Sequence, residues 1–184
     1  IKRLFTDPAH CKALEDVIAA IKDADFIIMG PGSLYTSVIP NLLVEEIAHE
    51  VVASNAKKIY VCNIMTQPGE TDNYSVSDHV NALMKHANSR KIIDAVLVND
   101  FIPSNLANKY QMAGSYPVKI DNENLKKLGV KLFSKKLIED NKEGFVRHSS
   151  NRVARALYYW YKREHKNEKN TLFQHKELAS KGSK

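Results

Sequence analysis

Three short apolar runs constrain this chain more than any other feature: DFIIM (25–29), KIYVCN (58–63) and DAVLVN (94–99). Their starts lie 33 and 36 residues apart. Each run is brief, unbroken and rich in Ile and Val, as a strand covered on both faces should be. The segments around them repeat with the period of a helix instead. Leu14, Val17, Ile18 and Ile21 make one apolar stripe; Leu43, Ile47 and Val51 make a second; Val76, Val80, Leu83 and Met84 make a third. Ser75 followed by Asp78 predicts a capping box that opens this third helix. Strand, polar loop and helix alternating at such a spacing predict parallel strands joined by right-handed crossovers. The expected fold class is α/β, a mostly parallel sheet with helices on both faces.

Beyond Asn99 the pattern is less regular. PSNLANKY predicts a helix opening at Pro103 or Ser104, and DNENLKKLG a short capped helix. YPVKI (116–120) and VKLFSKKLI (130–138) read as strands. Residues 149–164 predict a last helix, capped by Ser149 or Ser150, with Val153, Leu157, Trp160 and Tyr161 inward. Past His165 the apolar stripe fails. One domain over 1–165 with a basic polar tail over 166–184 is expected.

Composition narrows the function classes. Of 184 residues, 43% are apolar and 26% charged, the balance of an ordinary globular chain. No apolar run approaches the ~20 residues of a membrane span, and no signal peptide is recognisable. The opening IKRLF reads as the interior of a longer sequence. The net charge of +6 is concentrated at one end, since seven basic residues face three glutamates from Lys162 onwards. A nucleic-acid footprint needs a basic stripe on the folded body, so no nucleic-acid partner is expected. Cys11 and Cys62 form no CxxC pair, and Cys62 inside IYVCN predicts a buried, reduced thiol. The seven histidines include no HExxH and no i, i+4 pair, so no built-in metal is expected. His79 and His86 read as packing or solvated residues. Ser33 lies in no GxSxG elbow, and no catalytic residue is assigned.

In an open parallel sheet, ligands bind beyond the carboxyl ends of the strands. GPGSLYTS, NIMTQPGETDNYS and NDFIPSN all sit there. Gly30 and Gly32 let backbone pass close to a ligand, and Pro31 limits the loop's shapes. Ser33, Tyr35, Thr36 and Ser37 offer hydroxyls and N–H groups suited to phosphate or sugar oxygens. Pro68-Gly69 predicts a type II turn with Thr66, Gln67, Glu70 and Thr71 around it. Asn63 and Asn99 close strands, where an amide can read a ligand edge. Arg147 and His148, ahead of a helix start, form an expected anion pocket.

The stretches GPGSLYTSVIPNLLVEEIA, YVCNIMTQPGETDNYSVSDHVNAL and VLVN resemble the bacterial gluconeogenesis factor family, the YvcK-type branch of the CofD-like superfamily, over roughly residues 1–160. The resemblance implies the C-terminal part of a Rossmann-like domain and a cytoplasmic, regulatory protein. It further implies binding of UDP-sugars such as UDP-N-acetylglucosamine, and a role linking gluconeogenic carbon metabolism to cell-wall synthesis and cell shape. It leaves a homodimer and a regulatory protein partner open, and assigns no cofactor. The alternative is the superfamily's other branch, a 2-phospho-lactate-type transferase with a nucleotide-activated donor and Mg²⁺. The family's first strand and glycine-rich phosphate loop are not among these residues, and Ser149 stands where an acidic residue is expected after Arg-His. The ligand-binding residues expected are Gly30, Gly32, Ser33, Tyr35, Thr36, Asn63, Thr66, Gln67, Glu70, Thr71, Asn99 and Arg147.

Overall fold

The computed structural model describes residues 1, 4–139 and 146–181. The chain divides into two compact units, Ile1–Ser149 and Ser150–Lys184. The first is built as α1 (Glu15–Asp23), β1 (Phe26–Met29), a π turn (Leu34–Val38), α2 (Ile39–Leu42), α3 (Glu45–Ala53) and β2 (Lys57–Val61). It continues through α4 (Val76–His86), β3 (Ala95–Asn99), α5 (Ser104–Gln111), α6 (Asn122–Leu128) and β4 (Lys131–Lys135). The second unit is one helix, α7 (Ser150–Lys181).

The four strands form one parallel sheet in the order β1-β2-β3-β4. The expected α/β sheet is present, with the three predicted strands adjacent and parallel. Successive strands are neighbours in the sheet, and the chain between them passes through α3, α4 and α6 in turn. Met29, Tyr60, Cys62, Val96 and Val98 accordingly meet Val51, Val80, Leu83 and Leu125 in one core. Ile59, Val61 and Leu97, which alternate with them, are equally buried. Burial on both faces explains why β2 and β3 read as continuous apolar runs.

The capping box of α4 is present in full. Ser75 accepts from the Asp78 amide, and the Asp78 carboxylate accepts from the Ser75 amide. Asp121, just ahead of α6, accepts from the amide and hydroxyl of Ser77, at 3.0 and 2.5 Å. Two helix starts are thereby tied together. Burial works to raise the Asp121 carboxyl, but the bonds from Ser77 and Asn124 outweigh it and hold the group below its ordinary value.

Three expected elements differ. YPVKI is not a strand: it makes only isolated bridges, Met65 with Pro117 and Ser75 with Lys119. Pro117 has no N–H to give a ladder, and the two bridge partners lie in different parts of the chain. The strand expected over 130–138 ends at Lys135; the Leu137 amide turns away to Asn99 Oδ1 at 2.8 Å. The last helix does not stop near residue 164 but runs to Lys181. Between Ser150 and Lys181 no Pro or Gly occurs, so nothing in the backbone breaks it.

Candidate functional site

A cleft of about 670 Å³ opens beyond the carboxyl ends of β1 and β2. Its walls are the loop after β1, the loop after β2, the end of α5 with the residues that follow, and residues 146–148. The peptide from Gly30 to Pro31 is cis, and Gly30 has φ +80°. A Cβ on Gly30 would lie 3.0 Å from the Val61 carbonyl oxygen. Only glycine takes that backbone beside β2 without strain. The loop then delivers Gly32 and Ser33 to the cleft.

The second wall is rigid for local reasons. Gly69 has φ +81° and the Glu70 amide donates to the Gln67 carbonyl at 3.0 Å, the type II turn that Pro68-Gly69 predicts. Thr71 is buried, and its hydroxyl accepts from the Gln67 amide at 2.9 Å. Thr66 is held from the opposite side: its amide donates to the Tyr116 carbonyl, its hydroxyl accepts from the Tyr116 amide, and its carbonyl accepts from the Ser115 hydroxyl. These threonines shape the turn.

Of the expected ligand-binding residues, Gly32, Ser33, Asn63, Thr66, Gln67, Glu70 and Arg147 line this cleft. Five do not. Gly30 supports the loop from behind. The Tyr35 hydroxyl meets that of Tyr74 at 2.6 Å, in a separate cleft that His86 also lines. Thr36 is exposed on the π turn. Thr71 is enclosed in the turn. Asn99 accepts from the Leu137 amide and donates to the Phe101 carbonyl, at 2.8 and 2.7 Å. It closes the ends of β3 and β4 because the backbone there has groups in need of partners.

Sequence reasoning missed Tyr110, Ala113 and Ser115, which line the cleft from α5 and its exit. The Tyr110 hydroxyl also accepts from the Val146 amide at 3.0 Å. His148, paired with Arg147 in the sequence reading, lines the cleft too. Burial pushes its imidazole below the ordinary value, while a hydrogen bond to the Cys62 backbone works the other way. His148 Nε2 and Glu70 Oε2 are shut away from solvent without a hydrogen-bond partner among the described residues. Burying such groups unpaired costs about 1–3 kcal/mol each. Among the described residues, no three His, Cys, Asp or Glu side chains are grouped to hold a metal ion, and no helix is long and apolar enough to cross a membrane.

Comparison with known proteins places this geometry in a family. The model of the family "2-phospho-L-lactate transferase CofD" matches residues 1–138. A putative gluconeogenesis factor of Clostridium acetobutylicum is 49% identical over 158 residues, covering 85% of this chain and 35% of that protein. The gluconeogenesis factor of Bacillus subtilis is 45% identical over 158 residues, covering 85% of this chain and 49% of that protein. A crystal structure of a Bacillus halodurans protein superposes with a TM-score of 0.81 at 42% identity, covering 86% of this chain and 50% of that one. The chain thus spans half or less of the relatives named here. With the parallel sheet, the GPGS loop and the TQPGE turn in place, the chain belongs to the CofD family, among relatives named gluconeogenesis factors.

Proposed function

We propose that this chain forms one side of a UDP-sugar site, for a ligand resembling UDP-N-acetylglucosamine, in a cytoplasmic regulatory protein that links gluconeogenic carbon metabolism to cell-wall synthesis and cell shape. The observation that carries the reading is the cleft itself. It stands at the strand ends where α/β sheets bind nucleotides, and it combines the backbone at Gly32, the Ser33 hydroxyl, two amide side chains and Arg147. An Arg fork and a hydroxyl suit a diphosphate, while amides and the carboxylate of Glu70 suit sugar hydroxyls. Titration of the full-length protein with UDP-N-acetylglucosamine tests it. Arg147→Ala is expected to weaken binding roughly ten- to hundredfold, with Arg147→Lys recovering only part. Unchanged affinity in the Ala variant would remove Arg147 from the site.

A second reading is favoured by one finding, the match to a transferase family. Under it, the same cleft holds a nucleotide-activated phospho-lactyl-type donor. Incubation of the full-length protein with Mg²⁺ and such a donor separates the two: product formation supports transfer, and saturable binding without product supports the regulatory reading.

A further inference from the structure

We propose that Ser33 faces the cleft as a hydrogen-bond donor, oriented by a chain of side chains running from Tyr60 through Asn63 and Gln67, and that this point of the cleft therefore suits an accepting oxygen such as that of a phosphate. The inference rests on reading the cleft as a nucleotide-sugar site and specifies what one part of it offers a ligand.

The chain begins in the core. Tyr60 in β2 is fully buried, and its hydroxyl donates to Asn63 Oδ1 at 3.4 Å. Asn63 Nδ2 donates to Gln67 Oε1 at 3.2 Å, and Gln67 Nε2 donates to Ser33 Oγ at 2.8 Å. Each amide accepts through its oxygen and donates through its nitrogen, so polarity is passed along in one direction. Burial, with the Cys62 thiol beside it, pushes the Tyr60 hydroxyl up, so the head of the chain keeps its proton at neutral pH. The far end is fixed as well. The Gln67 amide and carbonyl are both bonded within the type II turn, and Asn63 lies just past the end of β2.

Ser33 has one proton. With its oxygen already receiving Gln67 Nε2, that proton is directed away from Gln67, and Ser33 lines the cleft. A phosphate oxygen, which only accepts, is matched by that proton; a ligand hydroxyl can accept it as well, or donate to the second lone pair of Ser33 Oγ. The same polarity argues against Ser33 as a nucleophile, because activation needs a neighbour that removes its proton and Gln67 Nε2 supplies one instead. Tyr60, Asn63 and Gln67 are positioning residues that act through Ser33.

The test is a double-mutant cycle on the full-length protein, titrated with UDP, with pyrophosphate and with uridine, with melting temperatures as the folding control. Glutamate is close to glutamine in shape but can only accept, so Gln67→Glu turns the Ser33 proton away from the cleft. Ser33→Ala is expected to weaken UDP and pyrophosphate about tenfold in the native background, to weaken neither further in the Gln67→Glu background, and to leave uridine unchanged. Any direct repulsion by the new carboxylate appears equally with and without Ser33, so the cycle removes it. Equal Ser33→Ala losses in both backgrounds would mean that Ser33 donates to Gln67 and would overturn the proposal. If pyrophosphate shows the background-dependent loss but UDP binds no better than pyrophosphate, the donor assignment stands and the nucleotide reading fails. Binding of neither overturns both.

Discussion

Gly30 shows how one residue shapes the site without touching a ligand. Its φ of +80° and the Val61 oxygen 3.0 Å from where a Cβ would stand leave no room for another side chain. Gly30→Ala is expected to cost about 1–3 kcal/mol in stability, read as a lower urea midpoint, whereas a loop that simply relaxes would show no change. Gly32, with negative φ and Ser37 Cβ at 3.2 Å, tolerates Ala more readily. Of the expected residues that line the cleft, Gly32, Ser33, Thr66, Gln67 and Glu70 share a reason, that glycine, proline and hydroxyl chemistry in a turn is local; Asn63 was read from its place at a strand end and Arg147 from its place ahead of a helix. Tyr110 and Ser115 were not legible because their contribution comes from chain that returns more than 40 residues after Gln67, and the turn that Gly114 signals there does not say which loop it meets. Asn99 was misread because an amide at a strand end looks the same whether it bonds a ligand or the Leu137 backbone.

At the scale of elements, the start of α4 is tied by side chains from two parts of the chain. Ser75, Asp78 and Asp121 satisfy donors that a helix otherwise leaves open. Ser75→Ala is expected to destabilise by about 0.5–2 kcal/mol, measured by urea unfolding, and because Asp121 binds Ser77 independently, helix content should survive below the transition. The capping box could be read from four residues of sequence. The absence of a strand over 116–120 goes with Pro117, which has no amide to give a ladder. The extent of α7 was underestimated. A fading apolar stripe was taken as the end of the helix, although no residue there breaks one.

At the scale of the whole molecule, the α/β sheet was legible because the buried strands β2 and β3 need uninterrupted apolar runs and helices need a different period; β1, with Ile28 exposed, is apolar throughout without being covered on both faces. The core also contains a titratable group. His79 is fully buried, stacked near Tyr60, with Nδ1 donating to the Ser75 carbonyl at 2.8 Å. Burial lowers its imidazole below the ordinary value, against the opposing effects of that bond and of Asp78, and His148 shifts the same way. A depressed histidine is neutral in the folded chain while the unfolded chain takes up a proton. Stability from both groups is therefore full above about pH 6.5 and is lost as pH falls from there through the lowered folded values. Urea midpoints at pH 8 and pH 5.5 should differ in that direction, and His79→Gln should narrow the difference. A gap unchanged by that substitution would exclude His79 as its source.

Because every strand lies beside the one made before it, the sheet can lengthen in the order of synthesis. From Phe26 with Lys57 to Ala95 with Lys131, each pairing joins residues 31 to 36 positions apart, so the loop-closure entropy is nearly the same at every step. At roughly 5–20 residues per second, the ribosome delivers each new strand within seconds. A nascent chain that has just released Asn99 can therefore hold three paired strands with the outer side of β3 still unpaired. Until Lys131–Lys135 arrives, that edge is open to pairing with another growing chain.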